Sequence, residues 1–160
     1  MRTSSWSCRS AIILGTFVTG ALIAHAAEQA TLIAAPSDLK WADTGPQFPD
    51  TQLVILDGDA GGKGPVALRF RCPADYKFLP HTHPGAERVT VLAGTMLIGL
   101  GPKYDAAKLK EVQTGGFFVI PTKEPHYGEC KGETIIEVHT TAPLGTTYVN
   151  PADDPSKKKK

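Results

Sequence analysis

The stretch His81-Thr82-His83-Pro84-Gly85-Ala86-Glu87 decides how this 160-residue chain is interpreted. Side chains alternate between the two faces of a strand, so His81 and His83 point to the same side. Pro84-Gly85 favours a turn, after which Glu87 can bring a carboxylate back to that side. Two imidazoles and a carboxylate that converge are typical ligands of a first-row transition metal. The stretch therefore predicts part of a metal site.

The chain as a whole has the composition of one globular domain, with 41% apolar and 21% charged residues. Its 16 glycines and 13 prolines separate short apolar runs, as in proteins made of many strands and turns. The pattern predicts strands at residues 52–57, 66–71, 76–83, 88–92, 95–100, 117–120, 127–130, 134–139 and 147–149. It also predicts a hairpin turn at Ala93-Gly94 and one short helix within residues 104–112, capped by Asp105. We expect an all-β fold, an antiparallel sandwich or barrel.

The side chains expected to fill the core, or to line a pocket within it, come from several of these strands. They are Phe78, Met96, Ile98, Phe117, Val119 and Ile135. Tyr127, which follows His126, is predicted to face solvent rather than to bond a ligand.

The two ends of the chain have sequence patterns that differ from that of the predicted barrel. Residues 1–26 combine arginines, an apolar run and a small-x-small site ending at Ala26, which predicts a cleaved signal peptide and a periplasmic or secreted protein. The apolar run is shorter than the roughly 20 residues of a membrane span, so no span is expected after cleavage. Residues 27–50 are predicted to be an irregular arm that lays Trp41 and Phe48 over the barrel or over a partner subunit. Residues 51–150 form the predicted barrel, and 151–160 a disordered charged tail.

Charge and cysteine content limit the possible partners and the compartment. Removal of Arg2 and Arg9 with the signal peptide lowers the 17 basic residues to 15, against 16 acidic ones. This balance gives no electrostatic reason to expect nucleic acid as a partner. Cys72 and Cys130 remain after cleavage, and the sequence leaves open whether they form a disulfide or stay as two buried thiols.

Two ordered motifs resemble those of the cupin superfamily. The first runs His81-x-His83-x3-Glu87-x6-Gly94, and the second runs from Gly115 through Pro121 to His126. The resemblance extends from about residue 52 to 140, and the carboxyl end is similar to that of small exported single-domain bacterial cupins. It implies a double-stranded β-helix, or jelly-roll barrel. It also implies that the side chains of His81, His83, Glu87 and His126 hold one divalent ion, namely Fe, Mn, Ni, Zn or Cu.

The chain departs from the family pattern at three positions. Asp75 stands where the first motif has glycine, and aspartate tolerates the left-handed backbone conformation fairly well. Lys123 replaces the turn glycine of the second motif, which predicts a different turn before His126. Cys130 replaces its asparagine without affecting a ligand. His139 lies outside both motifs and is predicted to be a packed or supporting residue rather than a ligand.

Two functions of different classes are compatible with this sequence. The first is a metal-dependent oxygenase, or an isomerase or lyase variant, that acts on a small enol, diketone or catechol-like substrate, with Glu87 serving as ligand and general base. The second is a non-catalytic periplasmic module that binds or senses a small molecule or a metal. The resemblance further implies a homodimer.

Overall fold

The computed structural model describes residues 31–157. The predicted signal peptide and residues 158–160 lie outside the described residues, and the unit that begins at Ala34 contains every strand. Residues 31–157 contain nine strands: β1 Ala42–Asp43, β2 Gln52–Asp57, β3 Gly64–Cys72, β4 Lys77–Thr82, β5 Glu87–Leu100, β6 Lys110–Gln113, β7 Phe117–Ile120, β8 His126–Ala142 and β9 Thr147–Tyr148. The helical segments described are all short 3-10 turns, at Pro36–Asp38, Gly45–Gln47, Ala106–Lys108, Pro151–Asp153 and Pro155–Lys157.

Strand β8 organises the sheet because it is paired along both of its edges. Its first half pairs with β4 on one side, and its second half pairs with β3 on that same side. Along the other side it pairs with β5 over most of its length. The path β1-β2-β3-β8-β4-β9 is extended by β6 and β7, which pair with β5, and every pairing is antiparallel. This curled antiparallel sheet confirms the predicted all-β jelly-roll fold.

The predicted hairpin turn at Ala93-Gly94 is wrong. Strand β5 continues through these residues, and its register against β8 shifts on both sides of Ala93. Gly94 has a φ of 75°, and a Cβ there would lie 2.3 Å from the carbonyl oxygen of Glu133. The glycine therefore marks a bend and a close approach within one long strand. The predicted strands 127–130 and 134–139 are likewise two parts of one continuous strand, β8.

The predicted short helix between the motifs is a single 3-10 turn. Asp105 caps it as predicted, since its side chain accepts a hydrogen bond from the Ala107 N–H at 3.0 Å. The following residues pair with β5 as strand β6 instead of continuing the helix. In the described part of the predicted tail, residues 151–157 form two further 3-10 turns.

Three predictions of burial are wrong, and strand parity explains two of them. Phe117 and Val119 are 59% and 48% exposed, because on β7 the alternate residues Phe118 and Ile120 face the core. Tyr127 is 0% exposed rather than facing solvent, and its hydroxyl donates to the Asp105 carbonyl oxygen at 3.2 Å. Of the other predicted core residues, Phe78 and Met96 are buried, and Ile98 and Ile135 are partly buried.

Cys72 at the end of β3 and Cys130 on β8 form a disulfide, which resolves the alternatives left open by the sequence. Both residues are buried within the hydrophobic core. The bond fastens the end of β3 to the first half of β8, the part of β8 that begins at His126.

Substitution of Gly99 by alanine is expected to destabilise the fold by about 1–3 kcal/mol, because overpacking forces rigid neighbours to move. A Cβ at Gly99 would lie 2.3 Å from the ring of buried Tyr127. Gly61→Ala is the matched control, since a Cβ there would meet one atom within 4 Å, the Asp59 Oδ1 at 3.8 Å. Urea unfolding would measure both variants, and equal stabilities would contradict the packing that the structure shows.

Candidate metal centre

The three motif histidines come together because strand pairing places them side by side. His81 on β4 and His126 at the start of β8 are direct partners in the antiparallel register. His83 follows the end of β4, where the Lys123 N–H donates to its carbonyl oxygen at 3.0 Å. Lys123 has a φ of 60°, so the lysine adopts the left-handed conformation that glycine adopts readily. Asp75, at the other substituted glycine position, also has a φ of 60°.

The turn that carries the first motif lies directly against β8. A Cβ at Gly85 would come within 2.7 Å of the Thr140 hydroxyl oxygen and 2.9 Å of the Thr141 carbonyl oxygen. Only a residue without a side chain fits there without displacing the strand. This close packing against β8 allows the chain to turn between His83 and Glu87, so that both side chains lie on the same side of the sheet.

Each histidine is oriented by a hydrogen bond from Nδ1 to a backbone carbonyl oxygen. The acceptors are Leu79 for His81 at 2.7 Å, Gly145 for His83 at 2.7 Å and Glu124 for His126 at 2.9 Å. A carbonyl oxygen can only accept, so each Nδ1 carries the proton. Each Nε2 is then left with a free lone pair, which is the tautomer that metal-binding histidines need.

The imidazoles form one compact cluster. Their ring centroids are 4.8 Å apart for His81 and His83, 4.3 Å for His81 and His126, and 5.2 Å for His83 and His126. One potential ligand atom from each ring lies within 4.8 Å of those from the other two. These three histidines could therefore hold a metal ion.

Glu87 reaches the same cluster from the first residue of β5. Its Oε1 lies 3.5 Å from His83 Nε2, and its Oε2 lies 3.7 Å from His126 Nε2. Its side chain is 19% exposed, and within the described residues it has no lysine or arginine partner. Burial raises the pKa of the Glu87 carboxyl group, while the neighbouring His126 lowers it.

Burial also favours the uncharged histidines. It lowers the pKa of His81 to about 3, with further lowering by His126 and His83. Burial likewise lowers the pKa of His83 and of His126. Three neutral imidazoles and one carboxylate without a cationic partner form a donor set that suits a divalent transition metal. The residues present thus fit the ion that the motifs imply.

His139 is outside the cluster. Its side chain is 56% exposed, and its Nε2 lies 3.0 Å from Glu137 Oε1. Glu137 also pairs with Arg69 at 2.9 Å. Burial raises the pKa of the Glu137 carboxyl group and is the largest single influence. The contacts with Arg69 and His139 together outweigh burial, so the pKa is lowered overall.

A cavity of about 250 Å³ adjoins the histidines and runs into the barrel. The predicted core residues Phe78, Met96 and Ile98 line it, as do Tyr127 and Phe48. Phe48 belongs to the predicted arm, and its ring packs 5.7 Å from that of Phe70 and 6.4 Å from that of His81. The arm therefore supplies part of the cavity wall through Phe48.

Three solved structures illustrate the fold that this chain shares. The polyketide cyclase RemF from Streptomyces resistomycificus is 22% identical, with a TM-score of 0.64 over 80% of this chain and 92% of the cyclase. The DMSP lyase DddQ from Ruegeria pomeroyi is 17% identical, with a TM-score of 0.57 over 76% of this chain and 64% of the lyase. A variant of salicylate 1,2-dioxygenase from Pseudoaminobacter salicylatoxidans is 14% identical, with a TM-score of 0.53 over 66% of this chain and 30% of the dioxygenase. At these identities the likeness shows the fold alone.

Sequence comparison identifies the family. No curated protein matches the chain. The family model described as the ChrR cupin-like domain matches residues 29–144, which include both motifs and all three clustered histidines. The chain therefore belongs to the ChrR cupin-like domain family, within the cupin superfamily.

Proposed function

We propose that this protein is an enzyme that binds one divalent transition-metal ion through His81, His83, Glu87 and His126. Its substrate would be a small molecule that offers two oxygens to the ion, such as an enol, a diketone or a catechol, and the reaction an oxygenation. The observation that carries the proposal is the convergence of three Nε2 lone pairs and one carboxylate beside a cavity of about 250 Å³.

The residues of the site would have different roles. A bound six-coordinate ion with four protein ligands would keep two positions open for a chelating substrate and would lower the pKa of the substrate's hydroxyl group. The carbonyl oxygens of Leu79, Gly145 and Glu124 hold the imidazole rings in place. The Glu87 carboxylate can accept a proton from a hydroxyl group held beside it. The apolar walls exclude water from the reacting atoms.

The three structural neighbours named above are a cyclase, a lyase and a dioxygenase, so the shared fold is compatible with an enzyme. Fold alone does not fix function, so the choice depends on experiment. The apo-protein would be reconstituted in turn with Fe(II), Mn(II), Ni(II), Cu(II) and Zn(II). Oxygen uptake would then be followed with a panel of enols, diketones and catechols.

We expect uptake with at least one redox-active metal and its loss in His126→Ala. Uptake that survives the substitution would contradict the proposed site. Tight binding of a panel compound without turnover under every metal would instead favour the non-catalytic binding or sensing module.

Glu87→Gln is expected to weaken metal binding about 10- to 100-fold and to abolish turnover, since the amide removes both the negative charge and the proton acceptor. Glu133→Gln is the matched control, because Glu133 is exposed and its side chain is not part of the histidine cluster. Metal content and oxygen uptake would be measured for both variants. Full turnover in Glu87→Gln would rule out the general-base role.

We propose further that the protein is exported and acts as a homodimer. The Cys72–Cys130 disulfide supports export, because such bonds persist in oxidising compartments. Within residues 31–157, no helix has the length and apolar character to cross a membrane.

Exposed Phe117 and Val119 on β7 support a partner surface for the homodimer. We expect mass spectrometry to find a mature chain that begins at Ala27, and sedimentation to find a dimer. An uncleaved chain in the cytoplasm would contradict export, and a monomer would contradict the homodimer.

A further inference from the structure

The walls of the cavity beside the histidines are largely apolar, with a few neutral polar side chains among them. Apolar side chains from β3, β5, β7 and β8 contribute: Leu68, Phe70, Val89, Phe118, Ile136 and Val138. Among the described residues that line it, the one with a formal charge outside the imidazoles is Glu87, which belongs to the metal centre. No lysine or arginine is part of this lining.

Strand parity keeps the two arginines of β3 on the other face of the sheet. On β3, Leu68 and Phe70 line the cavity, and the alternate residues Arg69 and Arg71 point away from it. Arg69 is paired with Glu137, and the Arg71 guanidinium lies 4.4 Å from the centroid of the Trp41 ring. Both arginines therefore have partners outside the cavity and leave its interior without positive charge.

This distribution of charge determines which ligand the cavity accepts. A divalent ion bound beside the Glu87 carboxylate would leave one net positive charge, enough to balance one deprotonated oxygen of a chelating ligand. A second anionic group farther along the cavity would be buried without a cationic partner, which is costly. Hydroxyl and carbonyl groups could instead use the neutral side chains of Gln47, Thr140 and Thr141, which also line the cavity.

We propose that the cavity selects uncharged, largely apolar ring compounds and excludes analogues that carry a carboxylate or phosphate away from the chelating oxygens. This inference rests on the proposed function, because it takes the cavity beside the histidines as the substrate site. The cavity volume of about 250 Å³ suits a single ring with short substituents.

The test compares two ligands that chelate through the same pair of adjacent ring hydroxyl groups. 4-Methylcatechol and 3,4-dihydroxybenzoate differ by one methyl group in place of one carboxylate. Titration calorimetry would measure both with the Co(II)-loaded protein and with the metal-free protein. We expect 4-methylcatechol to bind the loaded protein at least about tenfold more tightly.

A variant checks that charge is the cause. Thr141 lines the cavity and is exposed, so Thr141→Arg adds a cation where the chain can accommodate it. We expect it to reduce the preference for 4-methylcatechol at least about threefold. Thr122→Arg adds the same charge at an exposed residue outside the lining and should leave the preference unchanged.

The outcomes separate the two proposals. Equal or tighter binding of 3,4-dihydroxybenzoate would overturn the inference, and so would the binding of neither compound in either form. A preference for 4-methylcatechol that is the same with and without Co(II) would support the selective cavity and contradict the proposed metal function. A preference that appears only with Co(II) would support both.

Discussion

Replacing His126 with alanine is expected to lower the affinity for divalent transition metals at least about 100-fold. The substitution removes one of three imidazole ligands and leaves the other two with Glu87, whereas the loss of a mere supporting contact already costs about 10- to 100-fold. His126 is also the strand partner of His81, and its ring is the one nearest to His81 in the cluster. Competition titration with a chelating dye, together with the metal content of the purified protein, would measure the effect.

His139→Ala is the matched control for this prediction. His139 lies on the same strand, β8, but it is exposed and pairs with Glu137 outside the cluster. Its removal should leave metal affinity within about twofold of the unsubstituted protein. Far-ultraviolet circular dichroism would show that both variants keep the sheet. An equal loss of affinity in the two variants would contradict the assignment of the ligands.

Loss of the Cys72–Cys130 disulfide is expected to lower the free energy of unfolding by about 2–4 kcal/mol. The bond joins residues 58 positions apart, and it restricts the unfolded chain more strongly than a short loop would. It also ties β3 to β8, the strand with paired neighbours on both edges. Urea unfolding with and without a reductant would measure the loss as a lower midpoint.

The double variant Cys72→Ser, Cys130→Ser provides the control for reduction. It should already be destabilised by a similar amount, and added reductant should not shift its midpoint. If reductant leaves the midpoint of the unsubstituted protein unchanged, the disulfide does not stabilise the fold and this prediction is wrong.

Most of the fold could be predicted because most of the strands have their own local signals. Gln52–Asp57 and Phe117–Ile120 have the predicted bounds, since apolar runs there are delimited by Gly, Pro or Asp. The bend at Gly94 was predicted as a hairpin because the same glycine is compatible with either structure. Pairing with β8 on both sides of the bend decides between them, and local sequence does not report such long-range pairing.

The site was only partly accessible from the sequence. The spacing of His81, His83 and Glu87 indicated convergence, and the second motif indicated that His126 joins them. The carbonyl groups that orient the rings could not be foreseen, because Gly145 is 62 residues from His83 in the chain. Tyr127 was assigned to the surface because a polar hydroxyl beside a ligand is compatible with either environment; its partner, the Asp105 carbonyl oxygen, appears only in the fold.

Anomalous X-ray diffraction from crystals grown with Zn(II), or with the redox metal that supports turnover, tests the central claim most directly. We expect one metal peak within roughly 2.0–2.2 Å of the Nε2 atoms of His81, His83 and His126 and of one Glu87 oxygen. A peak elsewhere on the chain, or a vacant cluster in crystals whose protein has bound the metal in solution, would contradict the account.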